Sequence, residues 1–320
     1  MDLTLSSDQR LLVEAVAHMA ARHDTVPAKG RRFVYAEELQ VEIAAAGFAE
    51  VALAEGFGPL DAALAVDQLC AIAQSVEAAA SLLVAPMSLA RSVEGPVALV
   101  ADWRRPARFL GQARHALVLT GDSVRLAGVD PACVDSASGL FAYPMGRFRC
   151  EPQGEELGPA VRASLLQWWR VAIATEASAA MRAATDFTVA YVKDRQQFGQ
   201  AIGAFQAVQH RVARASVHAR GARLLALEAA WKGDALTASL AATYARRFMG
   251  ELIEDMHQFN GAMGLTLDHR LHYWTYRLLA LQGELGGMSG DADAAAALLW
   301  PSGQIENEPA KLSDYGALGW

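Results

Sequence analysis

The chain is 320 residues long, 53% hydrophobic and 20% charged, with a formal net charge of −7. That length accommodates two or three lobes around a large core, and the acidic balance gives no electrostatic case for nucleic acid as the main ligand. Three cysteines, Cys70, Cys133 and Cys150, make neither a CxxC pair nor a zinc spacing, and their odd number argues against a disulfide framework; a reducing cytoplasm is the expected location.

Met1-Asp2-Leu3-Thr4-Leu5 lacks the basic region and apolar run of a signal peptide. Ser6 with Gln9 fits a capping box, and Leu12, Val16 and Met19 repeat at helical spacing behind it. A second helix is expected over 36–46, with Leu39 and Ile43 on one face and Gly47 as its stop. Pro59 opens a third helical stretch to about residue 74, and a fourth covers 76–85. Residues 78–87 are the nearest approach to a membrane span, and Pro86 is expected to end that run. The basic clusters Lys29-Gly30-Arg31-Arg32 and Arg104-Arg105 read as solvated loops.

Near Pro96 the pattern changes. Residues 115–120 and 123–128 are short apolar runs joined through Gly121-Asp122, a hairpin signal. Residues 140–143 and 146–150 are candidates for further strands. Beyond residue 158 helical spacing returns. One helix is expected from 163 to 193 or 195. A second begins near Phe205, with Val208, Val212 and Ala215 on its face. A third begins near Asp234, with Leu236, Leu240, Tyr244, Phe248 and Leu252 recurring every four residues. The loop Asn260-Gly261-Ala262-Met263-Gly264 is expected to break the third, and a fourth follows over 268–285. The expectation is a mainly α protein: an N-terminal helical lobe over 1–95, a reduced middle β segment over 96–158, a C-terminal four-helix bundle over 159–300 and a tail over 301–320.

The segment Arg195-Gln196-Gln197-Phe198-Gly199 carries the chemistry. Arg195 falls where a long helix gives way to a loop, and a guanidinium there can pair two hydrogen bonds with phosphate oxygens. Gly199 and Gly203 let the chain turn. Gln206 opens the next helix, whose free N–H groups favour an anion. On chemistry alone the same features also describe a surface arginine in a helix-capping loop.

Tyr191-Val-Lys-Asp-Arg-Gln-Gln-Phe-Gly-Gln-Ala-Ile-Gly-Ala-Phe-Gln206 resembles the acyl-CoA dehydrogenase signature, in which Arg-x-Gln-Phe-Gly-x-x-Ile is followed by Phe-Gln. Gln258-Phe-Asn-Gly261-Ala-Met-Gly264 is similar to the family's Gln-x-x-Gly-Gly-x-Gly, with Ala262 in place of the middle glycine. The resemblance covers 163–286 closely and the N-terminal lobe loosely, and implies an acyl-CoA dehydrogenase-like fold. It implies FAD as cofactor, its pyrophosphate and adenosine end contacted by Arg195, Phe198, Gln206, Gln258, Gly261 and Ala262 across a subunit interface. It also implies α,β-dehydrogenation of an acyl-CoA thioester by a glutamate base.

A base is hard to find. An ungapped match puts Trp169-Arg170 at one family position for it and Leu285 at the other, with Glu284 one residue away. The family strand motifs Thr-Glu-Pro and Gly-Ser-Asp have no counterpart over 96–158. Thr266-Leu-Asp-His-Arg-Leu-His272 is similar to a pattern in bacterial members, some of which are two-gene heteromers acting on steroid or other bulky acyl-CoA esters. Together these features point to a non-catalytic, FAD-contacting subunit of a heteromer, partnered by a catalytic acyl-CoA dehydrogenase subunit. The alternatives are a complete enzyme using Glu284, or a flavin-free interaction protein on the same scaffold. His257, His269 and His272 read as helix-face histidines rather than metal ligands. Glu251, Glu254 and Asp255 read as a solvated face, and Trp168-Trp169 as buried packing.

Overall fold

The computed structural model describes residues 4–25 and 30–301. Met1, Asp2, Leu3, Lys29 of the first basic cluster and the expected tail beyond residue 301 lie outside the described residues.

Helix α1 (Ser7–His23) begins at the expected capping box. The Ser6 hydroxyl accepts from the Gln9 amide at 3.1 Å, and the Gln9 side chain accepts from the Ser6 amide at 3.0 Å. Helix α2 (Glu37–Ala45) buries Leu39 and Ile43, and Gly47 follows it with a left-handed φ of 73°. Helix α3 (Pro59–Leu69) starts at its proline but ends before the expected residue 74. The cause lies far away in the chain. The carbonyls of Cys70, Ile72 and Gln74, which a continuing helix would use internally, accept instead from the buried Arg277 guanidinium. A π-helical turn (Ala80–Val84) then runs directly into α4 (Ala85–Leu89). Pro86 therefore does not end the segment; it sits at the start of α4, directly after the π-helical turn.

The middle region holds two small sheets. Strands β1 (Val97–Val100), β3 (His115–Thr120), β4 (Ser123–Gly128) and β7 (Glu155–Leu157) lie in the order β1-β3-β4-β7. The β3–β4 hairpin turns at Gly121, whose φ is 55°. Strands β2 (Ala107–Arg108), β5 (Val134–Ala137) and β6 (Met145–Phe148) form an antiparallel sheet ordered β2-β6-β5. Residues 140–143 are not a strand. Leu140 stays exposed, while Ala142 and Tyr143 are drawn inward: the Tyr143 ring meets Phe109 edge-on, and its hydroxyl donates to Glu176.

Helix α5 (Pro159–Asp194) spans the molecule, and its middle, residues 171–181, is buried all round because α3 and α4 cover one flank and the bundle the other. A two-stranded hairpin, β8 (Gln196–Gln197) and β9 (Gln200–Ala201), leads to α6 (Gln206–Lys232). Helix α7 (Ala235–Gly264) is capped by Asp234, which accepts from the Thr237 amide at 2.9 Å. Its expected break is a kink at Gly261, after which the helical turn resumes to Gly264. Helix α8 (Leu271–Gly283) follows.

A further helix, α9 (Gly287–Leu299), is added to the expected four. It is docked by Asp291, fully buried between Arg170 at 3.0 Å and Arg246. Burial pushes the Asp291 carboxyl up even against those two cations. One apolar core runs from Val16 and Leu39 through Trp169 and Ile173 to Leu278, joining the N-terminal helices to the bundle.

Candidate functional site

The signature residues gather at one end of the bundle, on its surface. Arg195 caps α5: its amide donates to the Tyr191 carbonyl at 2.9 Å, and its own carbonyl accepts from Ile202 at 2.9 Å. The β8–β9 turn places Phe198 and Gly199 at φ 54° and 80°, the paired left-handed conformation of a tight hairpin. A phenylalanine at positive φ is uncommon, and this one is 90% exposed, its ring edge-on to Phe205 at 6.2 Å between ring centroids. Gly203 is needed for space, because a Cβ there would stand 3.0 Å from the Val192 carbonyl oxygen. Gln206 is the first residue of α6. Neither the Arg195 guanidinium nor the Gln206 amide has a polar partner among the described residues.

The second signature element lies at the kinked end of α7. Gly261 has φ 60° and ψ −153°, backbone angles reserved to glycine. Nothing lies near its missing Cβ, so the angles and not the space demand glycine. Gln258, Gly261 and Ala262 are all exposed. The Asn260 side chain donates to the Thr188 hydroxyl at 2.9 Å, tying this kink to the same end of α5 that carries Arg195. An unpaired guanidinium, free N–H groups at a helix start and a presented aromatic ring suit a phosphate-bearing ligand with a flat ring system. By donor chemistry these residues fit the diphosphate end of FAD.

Glu284 is elsewhere, separated from that surface by the length of α8. The two sequence positions at which a base was sought meet in space. The Trp169 indole N–H donates to Glu284 Oε2 at 2.8 Å. Arg108, from β2, donates through Nε to Glu284 Oε1 at 2.5 Å and through Nη1 to Glu176 Oε2 at 2.6 Å. Tyr143 donates to Glu176 Oε2 at 3.2 Å. Arg108, Glu176 and Glu284 side chains are only 10%, 5% and 18% exposed. Burial works against the Arg108 charge, but Glu176 and then Glu284 outweigh it and hold the guanidinium well above its ordinary value. Burial, followed by Glu176, pushes the Tyr143 phenol up.

Leu285, the ungapped base position, adopts a left-handed φ of 51°, followed by Gly286 at 83° and Gly287 at 69°. Arg246 clamps that turn by donating to the carbonyls of Leu281, Glu284 and Gly287. Glu284 thus projects into a cavity of about 450 Å³ lined also by Leu99, Phe141, Met145 and Trp169. Behind Arg108 a second void of about 20 Å³ touches Glu77, Phe109 and Glu176. Sequence reading missed Arg108, Glu176 and Tyr143. One signal was available: Glu176 interrupts a stretch of small and apolar residues over 171–180, and a carboxylate in the middle of such a helix requires a buried partner.

Glu77 is buried beside this cluster. It accepts from the Ala80 amide at 2.8 Å, the Val97 amide at 3.2 Å and the Ser81 hydroxyl. Burial overcomes those donors and raises its carboxyl from 4.5 to about 7. The folded state therefore keeps this proton longer than the unfolded state. Its contribution is fully present below pH 4.5 and is lost as pH rises through about 7, a swing of about 3 kcal/mol. In Glu77→Gln that falling limb disappears, so mutant and parent stabilities converge toward acid and diverge toward pH 8 in denaturant titrations. Parallel curves would contradict the assignment.

The remaining sequence candidates sort by burial. Both ring nitrogens of His257 and of His272 are engaged by backbone carbonyls or Thr275. Asp255 is not a solvated residue; it is buried and paired with Arg211 and Arg214. Trp168 and Trp169 are buried.

Residues 158–290 match the model of the acyl-CoA dehydrogenase C-terminal domain. That C-terminal region belongs to the acyl-CoA dehydrogenase superfamily. It is similar to the acyl-CoA dehydrogenase IpdE2 of Mycolicibacterium smegmatis, at 32% identity over 39% of this chain and 38% of that protein. That match therefore spans well under half the relative's length. IpdE2 of Mycobacterium tuberculosis aligns over 86% of this chain and 92% of its own length, at 27% identity. Among solved structures, the ChsE4-ChsE5 complex from Mycobacterium tuberculosis shares the fold, with a TM-score of 0.72 at 20% identity over 93% of this chain and 99% of that one. Among the described residues no helix is long and apolar enough to cross a membrane.

Proposed function

We propose that this chain is a non-catalytic, FAD-contacting subunit of a heteromeric acyl-CoA dehydrogenase that performs α,β-dehydrogenation of an acyl-CoA thioester. The observation that carries the reading is the engagement of Glu284. Both of its oxygens already accept from Arg108 or Trp169, and the space behind it is closed by the Arg108 side chain. A carboxylate turned onto a guanidinium and an indole in this way is poorly oriented to collect a substrate proton.

Arg195, Phe198, Gln206, Gln258, Gly261 and Ala262 would instead serve a FAD whose reactive ring is held by a catalytic partner. When bound, FAD supplies the hydride acceptor of the reaction. Arg195 would pair with its phosphates, Phe198 would cover an apolar face, and Gly261 would let the backbone approach closely. The exposure of all six residues suits a site completed by another subunit. The complex is expected in the cytoplasm.

Glu284→Gln distinguishes this reading from a complete enzyme, which the position of Glu284 on the wall of the 450 Å³ cavity would favour. The amide still accepts from Arg108. Turnover of the assembled complex should stay within about twofold of the parent. A fall of about 100-fold or more with flavin retained would make Glu284 the base.

A further inference from the structure

Cys133 and Cys150 meet at one end of the β2-β6-β5 sheet. Cys133 closes a 3-10 turn (Pro131–Cys133) just before β5, and Cys150 follows shortly after β6. The ladder pairs Val134 with Phe148, and the Arg149 amide donates to the Cys133 carbonyl at 3.0 Å. Arg149 reinforces the pairing with its side chain, which reaches the Ala132 carbonyl at 3.1 Å and Asp135 at 2.7 Å. The two segments are therefore held side by side where the cysteines stand, with Cys133 opposite Arg149, and Cys150 is close enough to act on the Cys133 thiol. Both thiols are free; Cys150 is exposed and Cys133 partly so, whereas Cys70 is buried in the core. Neither belongs to an apolar cluster, so packing does not account for either.

We propose that Cys133 and Cys150 form a reversible oxidation site that closes to an intramolecular disulfide by exchange with a low-molecular-weight disulfide. The Cys150 thiolate attacks one sulfur of that disulfide, breaking its S–S bond and releasing one thiolate, which takes up a proton. Cys133 then loses its proton and attacks the Cys150 sulfur of the mixed disulfide, expelling the second thiol. Two protein thiols are oxidised by two electrons in total, the small disulfide is reduced to two thiols, and both protons end on them. The order follows from the surroundings. Burial and the Asp130 carboxylate push the Cys133 thiol up, leaving the more exposed Cys150 to react first. The bond would tie the 3-10 turn to the end of β6. It would thereby pin edge strand β5, whose Val134, Ser136 and Ala137 line a cavity of about 450 Å³.

The test uses the full-length chain, incubated across a range of glutathione disulfide to glutathione ratios. Thiols are counted after denaturation and peptides mapped by mass spectrometry. The expected result is a fall from three thiols per chain to one, with Cys133 and Cys150 joined, Cys70 untouched, and full recovery on reduction. Neither Cys150→Ser nor Cys133→Ser should lose two thiols. Any one of four results overturns the proposal: no thiol loss, a mixed disulfide at Cys150 that persists at every ratio, a disulfide between two chains, or a serine variant that still loses two thiols.

Discussion

Arg108→Met should destabilise the protein by about 3–5 kcal/mol, because it leaves Glu176 and Glu284 buried without a cation. The cost comes from the stranded carboxylates and not from the lost attraction alone. Two consequences separate this cause from simple loss of packing. The deficit should shrink as pH falls, since protonation relieves each unpaired carboxylate. It should also shrink in the triple variant Arg108→Met, Glu176→Gln, Glu284→Gln, because replacing a whole buried ion cluster by neutral groups is often nearly neutral. Urea midpoints of parent, single and triple variants measure this directly. A triple variant as weak as the single one would show that Arg108 matters for its shape and not for its charge.

Arg195→Ala should weaken flavin retention in the assembled complex by roughly 10- to 100-fold, the worth of one charge-assisted, bidentate contact. The expectation is unusually clean because the guanidinium has no polar partner among the described residues. Thermal stability of the isolated chain should therefore not change, and any loss must be read as a ligand effect. Arg195→Lys should fall between, since an ammonium keeps the charge but not the planar fork. Equilibrium dialysis of FAD against the complex gives the number. Unchanged retention would remove Arg195 from the cofactor contact.

The contrast between these two residues shows what could be read from the chain alone. Features written in a few adjacent residues were legible. Ser6 and Gln9 signalled the first helix, Pro59 the start of α3, and Gly121-Asp122 the β3–β4 turn, each through a local rule. Features decided by distant partners were not. The end of α3 is set by Arg277, more than two hundred residues later in the chain. The seating of α9 depends on Asp291 meeting Arg170 and Arg246, which no spacing rule connects. Pro86 looked like a stop because its preceding π-helical turn has no sequence signature.

The same division runs through the candidate site. The proposed cofactor motif is a contiguous hairpin and helix start, so its residues could be picked out from the sequence. The Arg108 cluster joins β2, α5 and the α8–α9 turn, three elements with no local relationship. Glu284 could be named, since it stands one residue from a family position. Its confinement could not, because that depends on Trp169 and Arg108 arriving from elsewhere. In the proposed reading, that confinement is what separates Glu284 from a carboxylate free to act.

The most direct measurement is flavin content and acyl-CoA oxidation by the chain purified alone, set against the same chain co-expressed with a catalytic acyl-CoA dehydrogenase subunit. Alone, it should carry far less than one FAD per chain and oxidise no acyl-CoA, with both properties recovered in the complex. Stoichiometric FAD and acyl-CoA dehydrogenation by the isolated chain would contradict a non-catalytic role.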